Sequence, residues 1–305
     1  MAEQTVAQGR KFFVGFGVEG DAGVAVAPTV WPELTSESFS YDPSRQDFIG
    51  LSGSRSHHYQ AVEDGNIVTA GGVVFPCRKE WLDDVLYWAM GGGNAAAPTL
   101  AETLPTVTSQ VYKDLATEAL DYLGCKITTL ELTSESNGPL IATPTFVPMG
   151  VTTGVTPDAV TRTITDPFLM HHHLTLTIDG GTVYCSSIAL TIDNAVEDGH
   201  FMNSQSRVAV PAGDRMITGT ITCDWNAANA TTRGIWTKFL SGATASIAPV
   251  YADGSNTLTM TMPRCVYPAG GPPQGDDRAM IQWEVPFEAK SSAAGVQDEF
   301  TAVWS

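Results

Sequence analysis

The chain has 305 residues and a formal net charge of −17, from 33 Asp and Glu against 16 Lys and Arg. That balance excludes a protein that grips nucleic acid through its phosphates, because such contacts need a basic surface. A hydrophobic content of 43% excludes a disordered chain and is enough to build cores for two domains of ordinary size.

Residues 1–32 read as an irregular amino-terminal arm, with a short strand in KFFVGFGVEG and a Gly/Ala/Pro connector behind it. A first domain is expected over 33–150. It opens with the strand ELTSESFSYDP and a long polar arm, SRQDFIGLSGSRSHHYQAVEDG. A strand, NIVTAGGVVFPC, follows, and then a helix, KEWLDDVLYWAMGGG, with Trp81, Val85, Leu86 and Ala89 on its apolar side. NAAAPTLAETLP reads as a soft linker. Leu130 and Leu132 alternate in a strand that stops at Asn137-Gly138, and PLIATPTFVPM is its pairing strand, kept at an edge or bend by Pro144 and Pro148.

The Thr-rich residues 151–172 read as a joint, and a second domain is expected over 173–305. Asp179-Gly180-Gly181 is a hairpin signal. Ile188, Leu190 and Ile192 alternate in a strand, the polar arm DNAVEDGHFMNSQSRVAVPAGDR follows, and Ile217, Ile221 and Cys223 alternate in another. The short helix TTRGIWTKFLSG places Ile235, Trp236, Phe239 and Leu240 on one face and ends at Gly242. Two more strands, NTLTMTMP and AMIQWEVPFEA, flank a Gly/Pro-rich loop.

Strand, long arm, strand, helix, Gly thus occurs twice. Val85-Leu86, Ala89-Met90 and Gly92 superimpose on Ile235-Trp236, Phe239-Leu240 and Gly242 with every spacing kept. The fold class is mainly β: two tandem β-sandwich or split-barrel domains, each with one short flanking helix.

No catalytic motif stands out, so the chain is read as a non-enzyme without cofactor or metal. His171-His172-His173 cannot converge on one ion if they alternate along a strand, and Asp83-Asp84 reads as a solvated helix face. Five cysteines, an odd number without CxxC spacing, suggest free thiols. No apolar window is long enough to cross a bilayer, and MAEQTVAQGRKFF lacks a secretory core, so synthesis in a cytoplasm is expected.

The ordered set LTSESFSYDP, NIVTAGGVVFP, YWAMGG, YLGCKITTLELTSESNG, SIALTIDNAVEDG, DRMITGTITCDW, FLSG and NTLTMTMPRCVYPAGG resembles the tail tube (major tail) proteins of long-tailed, non-contractile bacteriophages. The likeness runs from about Gly15 to Ala289. It implies a structural virion protein, made in the host cytoplasm, that stacks as rings into a hollow tail tube. DNA passes through such a tube without specific binding, and other tail proteins meet it at its ends. A duplicated domain implies three chains per ring, with six chains as the alternative. The two arms, about Ser44–Asp64 and Asp198–Asp214, are expected to contact other subunits and to be poorly ordered in a free monomer. Their candidate contacts are Phe48, Ile49, Leu51, Arg55, His57, His58 and Tyr59 in the first, and His200, Phe201, Met202 and Arg207 in the second. Glu131 and Glu284, on polar strand faces, are candidates for lumen charge. The competing reading is a carbohydrate- or host-binding β-sandwich virion module using aromatics such as Tyr41, Tyr59 and Trp304.

Overall fold

A computed structural model describes residues 11–47, 62–114, 118–162, 164–226, 228–229, 234–269 and 281–305. In chain order its first strands are β1 (Phe13–Val18), β2 (Ser36–Glu37), β3 (Ser40–Asp42), β4 (Gln46–Asp47), β5 (Val62–Glu63) and β6 (Val68–Pro76). Helix α1 (Lys79–Met90) follows, then β7 (Gly91–Asn94), β8 (Ala97–Leu100), β9 (Val107–Tyr112), β10 (Ala119–Glu135), β11 (Ile141–Val147) and β12 (Gly150–Val155). The later strands are β13 (Leu174–Ile178), β14 (Gly181–Val183), β15 (Cys185–Asp193) and β16 (Met216–Asp224). After helix α2 (Ile235–Ser241) come β17 (Ala245–Ala252), β18 (Thr257–Val266), β19 (Gln282–Ala289) and β20 (Thr301–Trp304). The protein is mainly β, built from antiparallel sheets that stay open rather than closing into a barrel.

The longest strand explains the layering. At 17 residues β10 exceeds what one sheet needs, and Gly124 (φ +60) bends it where the register shifts. Its first part pairs with β9 and β12, its last with β11 and β15. One strand therefore serves two layers. Phe16 of β1 stacks on Phe146 of β11 with centroids 5.4 Å apart, so the layers face each other across a common core.

The pairing scheme recurs later in the chain. β1, β9, β10 and β12 pair in succession, as do β13, β17, β18 and β20. The order β3, β6, β11, β10 is matched by β15, β16, β19, β18. Local details repeat too. Cys125 and Cys265 each donate their thiol to the carbonyl three residues earlier, Tyr122 at 3.3 Å and Met262 at 3.7 Å. Asp42 and Asp193 each accept the N–H two residues on, from Ser44 (φ 46) and Ala195 (φ 43), which turns the chain into an arm. The schemes meet where Thr129–Glu135 of β10 lie antiparallel to Asp193–Ser187 of β15.

Several expectations change. The short strand read within the amino-terminal arm forms as β1, and what the sequence did not indicate is its partner: it pairs along its length with β9. The soft linker is a hairpin, β7–β8, entered through the left-handed Gly91 that caps α1. The joint begins as a strand, β12, on the edge of β10. Leu240 is 66% exposed rather than packed, because five residues on from Ile235 it has rotated about 140° away from the buried stripe. The Asp179 hairpin forms as read, with positive φ at Asp179 and Gly180.

Candidate functional site

Period-two alternation gives β10, β15, β16 and β19 one dry face and one wet face. Leu130, Leu132, Ile188, Leu190, Ile192, Ile217, Ile221, Trp283, Val285 and Phe287 fill the core. The residues between them face the other way and line up in rows across the strands. One row runs Thr143, Glu131, Thr191, Thr218, Glu288. The next is Ile141, Thr133, Ala189, Thr220, Pro286, and a third is Glu135, Ser187, Thr222, Glu284. Asp193 on Thr129 and Asp224 on Gln282 close the two ends.

Six carboxylates, Glu131, Glu135, Asp193, Asp224, Glu284 and Glu288, thus stand among threonines on one face, and these rows contain no Lys or Arg. The face brings Glu131 and Glu284 together, as the sequence suggested, and adds four acids that sequence reasoning missed. The missing signal was register: alternation identifies a polar side for each strand but not which strands are neighbours. Glu131 and Glu288 lie three strand spacings apart, about 14 Å. That exceeds the screening length of about 8 Å at physiological salt, so these two scarcely repel, whereas Glu131 and Asp193, and Asp224 and Glu284, are diagonal neighbours on adjacent strands about 7–8 Å apart and do repel. The face holds no nucleophile or base aimed at a common point. Its chemistry is a hydroxyl-rich, net negative wall, with Glu288 ion-paired to Lys290 at its margin.

The second arm is positioned by its own residues. Arg207 is buried and donates to the Thr69 carbonyl (2.7 Å), the Thr69 hydroxyl (2.8 Å), the Pro148 carbonyl (2.8 Å) and Asp198 (2.8 Å). It binds the arm to the end of β11 and the start of β6, so it acts within the chain rather than on the surface. Burial pushes the Asp198 carboxyl up, but the Arg207 hydrogen bond and charge outweigh it and hold the group below its ordinary range. His200 likewise turns inward, to Asp198 and the Ile67 carbonyl. Phe201 (56% exposed) and Met202 (fully exposed) form the outward tip. Asp198, His200 and Arg207 thus tie the arm to the body of the chain, and Phe201, Met202 and Val208 are its exposed apolar side chains. Phe48, Ile49, Leu51, Arg55, His57, His58 and Tyr59 lie outside the described residues.

Other singled-out groups take structural places. His171–His173 form one 3-10 turn in which the His173 ring accepts the Met170 N–H at 3.1 Å. Asp83 and Asp84 are not a freely solvated helix face. Burial, then the Asp84 charge, pushes Asp83 up to about 7, and burial pushes Asp84 up to about 6. Of the aromatics, Tyr41 is exposed on β3, whereas Trp304 packs against the core with the Lys79 ammonium over its ring.

A family model described as phage tail tube protein matches residues 9–289. No curated protein matches the chain.

Proposed function

The chain belongs to the phage tail tube protein family, and we propose that three copies close each ring of the tube, every copy supplying two wedges of the wall. As a family member it is a structural protein of the virion tail that assembles with itself and with other tail proteins. A sugar- or host-binding role is not favoured.

The observation that carries the three-chain reading is the seam between β10 and β15. There the leading edge of the later pairing scheme is already zipped onto the earlier one. The corresponding leading edge of the earlier scheme is β2–β3, hydrogen-bonded to β6 on one side and to no described strand on the other. An open edge of this kind invites a partner. A neighbouring chain that repeats the intramolecular seam there continues the sheet head to tail, and three chains give six wedges in a closed ring. On this reading 33–150 and 173–305 are the two wedge domains and 151–172 is their joint. The arm 1–32 adds β1 to the first wedge.

The acidic threonine face lines the lumen, with Glu131 and Glu284 among its charges, and DNA slides past without specific binding. Phe201 and Met202 touch a neighbouring subunit, with His200 and Arg207 holding the arm that presents them. The first arm, with Phe48, Ile49, Leu51, Arg55, His57, His58 and Tyr59, makes the matching contact. Synthesis takes place in the host cytoplasm. Native mass spectrometry of dissociated rings, or symmetry analysis of tube images, tests the count. Three chains per ring are expected, and six full-length chains would overturn the reading.

A further inference from the structure

Cys185 and Cys223 sit directly opposite each other in the antiparallel ladder of β15 and β16. Both thiols are free. Directly opposed residues in such a ladder have Cα atoms about 4.5–5.5 Å apart, inside the range of about 4.4–6.8 Å that a disulfide spans. Opposed side chains also share a face of the sheet, so the two sulfurs project to the same side. The register slips by one residue between Cys185 and Ser187, and such a bulge gives the strand local freedom to adjust. Cys185 is half-buried, beside the 87% exposed Tyr184, whereas Cys223 is buried.

We propose that Cys185 and Cys223 are a modification site: they close into a cross-strand disulfide when the protein meets an oxidised thiol pool, locking the strand–arm–strand segment that carries Phe201 and Met202. Virion surfaces meet such conditions outside the cell. With glutathione disulfide as oxidant, the Cys185 thiolate attacks one glutathione sulfur and displaces the other glutathione as its thiolate. The Cys223 thiolate then attacks the Cys185 sulfur and releases the second glutathione. The protein loses two protons and two electrons, and one glutathione disulfide becomes two glutathiones. Burial pushes the Cys223 thiol up to about 11 and raises Cys185 as well, so the less buried Cys185 reacts first and closure quickens as pH rises toward 9.

The test treats the folded full-length protein with oxidised glutathione at pH 8.5 and maps unreduced peptides by mass spectrometry. The expected result is loss of two hydrogens per chain and one linked peptide containing both residues. Cys185→Ser and Cys223→Ser should each abolish the link, and either variant alone suffices if the other does not fold. A glutathione adduct that persists on Cys185 of the wild-type protein, or no reaction at either thiol, overturns the proposal. So does a link that forms equally in Cys185→Ser.

Discussion

Arg207 shows how much one side chain settles. Its guanidinium meets acceptors contributed by β6, by Pro148 after β11 and by the arm itself, so removing it takes a charged donor from each and leaves the Pro148 carbonyl to the Thr69 hydroxyl. Arg207→Ala is expected to destabilise the protein by about 2–3 kcal/mol in urea unfolding. Arg207→Lys should recover little, because an ammonium cannot reproduce the planar fork. A loss below about 0.5 kcal/mol in the alanine variant would show that the arm is held by other contacts. Asp83 makes a pH prediction of definite sign. Its folded pKa is raised to about 7 from 3.8, so between those values the native state binds more protons than the unfolded chain. Stability at this site therefore falls as pH rises from about 4 to 7. Asp83→Asn should remove that slope and stabilise the protein at pH 8 by on the order of 1 kcal/mol, allowing for the water that reaches a half-exposed group. Thermal midpoints of both proteins across pH 4–8 check it, and parallel curves would sink it.

At the scale of elements, the bend in β10 decides how the layers meet. A Cβ on Gly124 would lie 2.5 Å from the Met149 sulfur, on a backbone with φ +60. Gly124→Ala should cost about 1–3 kcal/mol by adding strain to the crowding. Removing the Met149 side chain in the same protein should recover only the crowding part, as a double-mutant cycle would read. Helix α2 behaves differently from α1. Where α1 buries Trp81, Leu82, Val85, Leu86, Trp88, Ala89 and Met90, α2 fully buries only Ile235. Trp236 is partly covered, with its ring 6.0 Å from Trp225 and 5.5 Å from Phe239. Trp236→Ala should therefore cost about 1–3 kcal/mol, less than the 3–5 kcal/mol of a fully buried aromatic. Chemical denaturation measures it directly.

The whole molecule combines a dry core with one acidic wetted face, and on the proposed reading this division separates stability from passage of DNA. Replacing Glu131, Glu284 and Glu288 by Gln should change stability by less than about 0.5 kcal/mol each, since all three lie on the polar side of the sheet. Particles assembled from the triple variant are expected to eject DNA more slowly, most clearly at low salt, where screening is weakest. Equal ejection at every ionic strength would remove the electrostatic role of the face. Salt screening sets a matching limit: beyond about 8 Å from the wall the field of the acids is damped, so the expected effect belongs to DNA close to it.

The sequence alone determined the class and the repeat. Alternation at Ile188, Leu190 and Ile192 identified a half-buried strand, Gly91 and Gly242 ended the two helices, and Asp179-Gly180 specified its hairpin. These are signals carried by neighbours along the chain, where period and turn chemistry act within a few residues. The tertiary structure decided what depends on partners far away in sequence. It paired β9 with β1 and β20 with β18, strands that carry little alternation of their own, and bent β10 at Gly124 to join the layers. It also gathered six acids on one face through the registers of four strands and turned Arg207 inward onto Thr69 and Pro148. Register is fixed by hydrogen bonds between strands tens of residues apart, and burial by whatever packs on top. Neither is written in the spacing of residues along a single strand.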